Sequence, residues 1–329
     1  MKYFTCVHDV PNVEELVASA KLLKENPFSY QQRGKHKTLG LIFMNPSLRT
    51  RMSTQKAAQL LGMNIISVNA TTEGWAIETG DGAMNGTTVE HIEEAAGVMG
   101  QYCDIIGVRC FPTLTDKEND VRERTILQWM KFSGKPILSL ESATRHPLQS
   151  LADLLTIEEH KKVTKPKVVL TWAPHVKAVP HAVANSFSEW IKATDAEFVI
   201  TCPKGMELDT EFTNGAAITH DQNEALENAD FVYAKSWSSF SDYGKLYDGG
   251  EDWLMTPKKL SLTNDAKIMH CLPVRRDVEL STALIKSKNS LLMQQAANRV
   301  PAAMAVLKKM LSSLEKTKPV QKKELIHEE

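Results

Sequence analysis

The chain has 329 residues, 39 Lys and Arg against 40 Asp and Glu, a net charge of −1, and 42% hydrophobic residues. At roughly 150 residues per domain this length predicts two domains, and the even charge balance excludes the broad basic field of a non-specific nucleic-acid binder. No apolar run nears the roughly 20 residues that cross a bilayer, and the five cysteines show no CxxC spacing, so a reduced, cytoplasmic protein is expected, with no metal, membrane or nucleic-acid partner.

Residues 1–12 carry Lys2 but no apolar run behind it, which argues against a signal peptide. Apolar runs then predict strands at Thr38–Met44, Asn64–Asn69, Asp104–Arg109 and Pro136–Leu140. Further runs predict strands at Lys167–Trp172, Glu197–Cys202, Asp230–Lys235, Lys267–Cys271 and Ser290–Met293. Helical patterns cover Ser53–Leu61, Val89–Tyr102, Arg122–Phe132, Leu148–His160, Pro180–Lys192 and Asn223–Asn228. Short apolar runs joined by amphipathic helices make an α/β fold of parallel sheet, and two smaller sheets suit the length better than one of nine strands. A helix over His146–Lys161, with Pro147 tolerated in its first turn, would bridge the halves. A last helix near 300–315 leads into a charged tail, 316–329.

The first strand lacks a Gly-x-Gly-x-x-Gly sequence behind it, and no glycine loop ends in Lys-Ser/Thr, which weakens nicotinamide and nucleotide-hydrolysing readings. Polar residues come after the predicted strands instead: Ser47-Leu48-Arg49-Thr50, Arg109, Glu141, Arg145-His146-Pro147-Leu148-Gln149, His175, Lys235, Cys271-Leu272 with Arg275, and Arg299. Ligands of open α/β sheets sit beyond the carboxyl ends of the strands, so core packing alone does not account for this placement. Ser47 to Thr50 opening a helix fits a phosphate cradle, because helix-start N–H groups are unpaired and partly positive; an ordinary capped helix fits as well. Taken singly, His146 reads as a packed or capping histidine and Cys271 as a small buried hydrophobe.

Together, Ser-Leu-Arg-Thr-Arg at 47–51, His-Pro-Leu-Gln at 146–149 and His-Cys-Leu-Pro at 270–273 resemble the aspartate/ornithine carbamoyltransferase superfamily over roughly residues 3–315. The resemblance implies two doubly wound parallel-sheet domains joined by bridging helices. A carbamoyl-phosphate domain would span 1–145, with the last helix packing back on it, and an amino-acid domain 146–299. It implies a homotrimer with sites shared between subunits, and transfer without metal or organic cofactor. Ser47, Leu48 through its backbone N–H, Arg49 and Thr50 would hold the phosphate end of carbamoyl phosphate, with Arg109 beside them, and Arg299 would complete the carbamoyl-phosphate set. Arg109, His146 and Thr50 would polarise the carbonyl oxygen, and Gln149, Cys271 and Leu272 would hold the NH₂, with Pro147 and Leu148 in the same motif. Trp75, in the loop 71–88, would reach a neighbouring subunit's site; the residues alone read it as an exposed loop aromatic.

The acceptor side departs from the ordinary ornithine type. Lys235 stands where that type carries an aspartate for the free α-amine, and Ser-Met-Gly is missing. A lysine repels an ammonium and attracts a carboxylate, so the α-nitrogen of the acceptor is expected to be acylated. Trp172-Ala173-Pro174-His175 and Leu272-Pro273-Val274-Arg275-Arg276 also resemble the acylornithine branch. Within that branch the acetyl type has a glutamate in the loop matching 85–90, the succinyl type a proline, and this chain Val89. The acetyl type also has a lysine soon after its Asn-Arg pair, where this chain reads Val300-Pro301-Ala302-Ala303. The resemblance thus favours N-succinylornithine over N-acetylornithine, with Glu141, His175, Lys235, Arg275 and Val89 on the acceptor side and Lys177 near it. Glu141 is open to a plainer reading, as an acid ahead of the bridge helix. A catalytically silent anion-binding module on the same fold is the reading of another class.

Overall fold

Alternating strands and helices build two five-stranded parallel sheets in the computed structural model of the chain, which describes residues 1–316. The first half contains β1 (Tyr3–Phe4), β2 (Thr38–Phe43), β3 (Asn64–Asn69), β4 (Ile77–Glu78), β5 (Glu90–His91), β6 (Ile105–Arg109) and β7 (Ile137–Glu141). Its sheet runs in the order β1-β7-β6-β2-β3, and β4 and β5 pair separately as a short ribbon. The second half holds β8 (Lys167–Trp172), β9 (Glu197–Thr201), β10 (Ala217–Thr219), β11 (Phe231–Lys235) and β12 (Lys267–Met269), ordered β10-β9-β8-β11-β12. The strand order therefore reverses direction between β2 and β6 in one sheet and between β8 and β11 in the other. These are the crevices where open sheets take ligands.

Eight of the nine expected strands are present among the described residues. Ser290–Met293 is not one of them: Ser290 makes a single bridge to Ile268, and Leu292–Ala297 turns into a helix. An apolar run that short does not fix its own period, so the tertiary site decides. The helix expected from Val89 starts at Ile92, because Val89 and Glu90 join the β4–β5 ribbon. The sequence patterns also passed over the helix at Val13–Glu25, whose Asn12 cap accepts from the Glu15 amide at 2.8 Å.

The main helices are α1 (Val13–Glu25), α2 (Leu48–Leu60), α3 (Ile92–Tyr102), α4 (Arg124–Phe132), α5 (Pro147–His160), α6 (Ala182–Ile191), α7 (Leu292–Ala297) and α8 (Arg299–Lys316). Every residue of α5 from Pro147 to Ile157 is buried, which is the environment of a helix packed on all sides. One apolar core runs from Phe4 and Leu39 through Leu151 and Leu155 to Val168 and Trp190, so α5 ties the two sheets together. The last helix, α8, returns to pack on α1, α2 and α5, burying Met304, Val306, Leu307, Met310 and Leu311. Across the halves, Arg145 bonds Glu189 of α6 at 2.9 Å and Glu211 at 2.7 Å, and its guanidinium lies over the Phe212 ring. The amino group of Met1 donates to Ser313 in α8, so the start of the chain lies against its last described helix. Apart from Lys316, the tail expected at 316–329 lies outside the described residues.

Candidate active site

The loop after β2 feeds directly into α2. Ser47 is extended (φ −153°) and accepts from the Thr50 amide at 3.2 Å, so the helix begins at Leu48 rather than at the expected Ser53. This first turn brings Arg49 and Thr50 inward while the Leu48 side chain points outward, 73% exposed. At the other end, Gly62 ends the helix with φ +78°, where a Cβ would lie 1.9 Å from the Gln31 carbonyl oxygen.

Beside this turn Arg109 leaves the end of β6 and Glu141 ends β7, and Glu141 accepts from Arg109 Nη1 in a buried ion pair. His146, at the head of α5, places Nε2 3.4 Å from the same Glu141 oxygen, and its Nδ1 has no partner among the described residues. Burial, with the charges of Arg299, Arg109 and Arg49, pushes His146 well below the usual histidine range. It is therefore neutral at physiological pH and has one N–H to donate. Arg299 Nη2 donates to Thr50 Oγ1 at 2.8 Å and Nη1 to Gln149 Oε1 at 3.1 Å. Burial and then the neighbouring Arg109 bring this arginine down to about 10, still charged at pH 7. Phe111 backs the site, with the Arg109 guanidinium 4.4 Å from its ring centre.

The second half contributes from the ends of β8, β11 and β12. His175 Nε2 accepts from Arg275 Nε at 3.2 Å, and its Nδ1 faces the Lys177 carbonyl at 2.8 Å. Burial lowers the His175 pKa, so this imidazole is neutral too. Lys235 ends β11 and donates from Nζ to the Ser236 carbonyl at 2.7 Å. Past β12, the Leu272 amide donates to His270 Nδ1 at 3.0 Å, and Leu272 takes φ 58°, a left-handed backbone that a non-glycine residue adopts only under tertiary constraint. Burial pushes the Cys271 thiol up.

These groups meet in a cavity of about 180 Å³. Of the sequence-predicted residues, Ser47, Arg49, Thr50, Arg109, Glu141, His146, Gln149, His175, Lys235, Cys271, Leu272 and Arg299 line it. Pro147 and Leu148 are buried in the first turn of α5 without lining it, Arg275 is exposed at its edge and touches it through His175, and Lys177 is exposed. Trp75 and Val89 lie elsewhere, on the β4–β5 ribbon, where Trp75 Nε1 donates to Glu90 at 2.9 Å and the two side chains are 52% and 63% exposed.

Sequence reasoning passed over Glu279, which also lines the cavity. Its carboxylate accepts from Ser236 Oγ (3.0 Å), His270 Nε2 (3.2 Å) and the Arg275 amide (2.7 Å). Burial raises this carboxyl, but the His270 bond and charge, Lys235 and the Arg275 amide outweigh it and bring it to about 2. Nothing in the string Arg275-Arg276-Asp277-Val278-Glu279 announces an inward acid. Among the lining residues, four cations (Arg49, Arg109, Lys235, Arg299) thus face two carboxylates that are already bonded. The cavity suits small anions, with hydrogen-bond donors placed where charge would develop on a carbonyl oxygen.

Comparison with known proteins agrees with this geometry. Residues 3–159 match the family model described as aspartate/ornithine carbamoyltransferase, carbamoyl-P binding domain, and residues 180–310 match its Asp/Orn binding domain. An N-succinylornithine carbamoyltransferase of Bacteroides fragilis (strain 638R) is 48% identical over 317 residues, covering 95% of this chain and 100% of that protein. An N-acetylornithine carbamoyltransferase of Xanthomonas axonopodis pv. citri (strain 306) is 33% identical over 336 residues, covering 95% and 97%. Among solved structures, an N-acetyl-L-ornithine transcarbamylase variant with a glutamate replaced by valine, complexed with carbamyl phosphate and N-succinyl-L-norvaline, superposes with a TM-score of 0.89 at 32% identity. That match covers 94% of this chain and all of the other. The chain belongs to the aspartate/ornithine carbamoyltransferase family and is a carbamoyltransferase.

Proposed function

We propose that this carbamoyltransferase moves the carbamoyl group of carbamoyl phosphate to the side-chain amine of N-succinylornithine, giving N-succinylcitrulline and phosphate in arginine biosynthesis in the cytoplasm. The observation that carries the acceptor assignment is Lys235, a cation at the cavity wall contributed by the second sheet. It would repel a free α-ammonium and attract the extra carboxylate of a succinyl group. The 48% identity to a succinylornithine enzyme, against 33% to an acetylornithine enzyme, supports the same choice. So does the glutamate-to-valine variant of the acetylornithine enzyme, which holds a succinylated ligand, since Val89 stands in the loop where the acetyl type carries a glutamate.

Ser47, Arg49, Thr50, Arg109 and Arg299, with the α2 amino terminus, would take the phosphate dianion. The neutral amine attacks the carbamoyl carbon, a C–N bond forms, and the carbonyl oxygen gains charge facing Arg109, Thr50 and the single N–H of neutral His146. The bond to the phosphate oxygen then breaks, and the departing phosphate takes the amine proton, so no group of the chain need act as general base. Gln149, Cys271 and the Leu272 carbonyl would hold the carbamoyl NH₂, while His175 and Arg275 would orient the acyl-amino acid.

The test supplies carbamoyl phosphate with ornithine, N-acetylornithine or N-succinylornithine and follows the ureido product. Turnover of succinylornithine at least about tenfold above the others is expected, the order of one added ionic contact. Preference for acetylornithine would reassign the acyl group, and turnover of ornithine alone would sink the acyl reading. Lys235→Asp should weaken succinylornithine use far more than carbamoyl-phosphate binding.

A further inference from the structure

We propose that Asp153, which lines no part of the cavity, is the positioning residue that fixes which way the Gln149 side-chain amide faces and so makes the carbamoyl NH₂ pocket an acceptor wall. Asp153 is fully buried on α5, one helical turn beyond Gln149 and on the same face. Its Oδ1 accepts from Gln149 Nε2 at 2.7 Å and from Gln295 Nε2, on α7, at 2.7 Å. Each glutamine thus turns its nitrogen, one of whose two N–H groups is spent on Asp153, toward the carboxyl and its oxygen away from it. Gln149 Oε1 meets Arg299 Nη1 at 3.1 Å, and Gln295 Oε1 accepts from the His270 amide at 2.9 Å.

One carboxyl thus sets both sides of the proposed NH₂ site. Through Gln149 it presents an amide oxygen. Through Gln295 it holds the main chain at His270, which in turn receives the Leu272 amide and leads into the left-handed turn at Leu272. Without Asp153 only the Arg299 contact still favours this orientation of the Gln149 amide, whose oxygen and nitrogen ends have almost the same shape. The turned amide would place NH₂ against substrate NH₂ and against the Arg299 guanidinium, donor facing donor.

This inference rests on the assignment of Gln149 to the carbamoyl NH₂, and the experiment separates the two. Steady-state kinetics with carbamoyl phosphate and N-succinylornithine are compared for wild type, Asp153→Leu, Asp153→Asn, Gln149→Met and the Asp153→Leu/Gln149→Met double variant. Loss of one or two oriented hydrogen bonds should lower kcat/KM for carbamoyl phosphate about 10- to 100-fold in Asp153→Leu, with the acceptor KM changed less than about twofold. Asp153→Asn keeps an acceptor oxygen at Oδ1 and should stay within about threefold of wild type. In the Gln149→Met background Asp153→Leu should cost at least about threefold less than it does in wild type, because only the Gln295 arm is then left to lose. Additive losses, or equal rises in both KM values, would overturn the positioning role while leaving Gln149 in place. A Gln149→Met enzyme with wild-type kinetics would overturn the Gln149 assignment instead, and the inference with it. Should Asp153→Leu not accumulate as folded protein, Asp153→Ser, too short to reach either amide, takes its place with the same expectations.

Discussion

Glu141 sits in the cavity in a way that the sequence motif does not convey. Beside Arg109 and His146 it already neutralises part of the anion site, so an arriving phosphate has to share Arg109 with a carboxylate. The resemblance placed this residue on the acceptor side, whereas its bonded neighbours Arg109 and His146 are residues of the proposed carbamoyl-phosphate site. Asp153 is the other informative acid. Burial outweighs the bonds from Gln295, Gln149 and Tyr233 and the nearby charge of Arg299, and lifts its pKa from 3.8 to about 7. A folded-state value above the unfolded one means that the stability from this group is complete below the unfolded pKa and is lost as pH rises through the folded one. Its neighbours do not titrate in that window: Arg299 stays charged, and burial pushes the Tyr233 hydroxyl and Cys271 thiol upward. Asp153→Asn removes the dependence. In urea titrations the variant should therefore gain on wild type as pH rises from about 4 to about 7 and then level off. A stability difference constant across that range would contradict the assignment. The signal for Asp153 was present in the sequence as an acid four residues after Gln149, but spacing alone does not say which helix face is buried. Glu279 offered not even that, because a loop has no period to read.

Elements were legible where their own pattern outweighed their surroundings. The central strands β2, β6, β8 and β11 are continuous apolar runs, since both faces of a parallel sheet are covered, and their expected and observed bounds differ by a residue or less. The short strands β1, β4, β5 and β10 were not legible, whereas the edge strands β3 and β12 were. β10 is three residues long and half exposed, and β4 and β5 are two residues each, so their pairing depends on partners rather than on hydrophobic period. The β4–β5 ribbon matters all the same, because it displays Trp75 and Val89 away from the chain's own cavity. Large apolar side chains shown together on a ribbon suit burial by another copy of the chain. We therefore propose the homotrimer that the family resemblance implies, with this ribbon extending toward a neighbour's cavity. Light scattering should give three times the 36.7 kDa chain mass. A monomeric enzyme with full activity would remove the ribbon from the site.

At the scale of the whole molecule, both strand-order reversals open toward one cavity, so each sheet presents its ligand-binding edge to the other. The motifs carried this indirectly, by putting reactive side chains after strands of both halves. In the structure α5 leaves the first half for the second, and α8 comes back to complete the core that the first half began. The large apolar side chains of α8 contribute burial on the order of 10 kcal/mol, about as much as the net stability of a whole domain. We therefore propose that the first half is not self-sufficient without α8, a lock whose key is cut from the far end of the chain. If the chain were produced as two pieces divided within the exposed connection 161–165, the piece 1–163 would lack the helix that seals it, and the piece 164–329 would carry that helix with nowhere to bury it. Mixed, the two should reassemble into one active particle, and apart, neither should melt cooperatively. A first piece that folds as firmly alone would show that α8 is packing on a finished domain rather than finishing it.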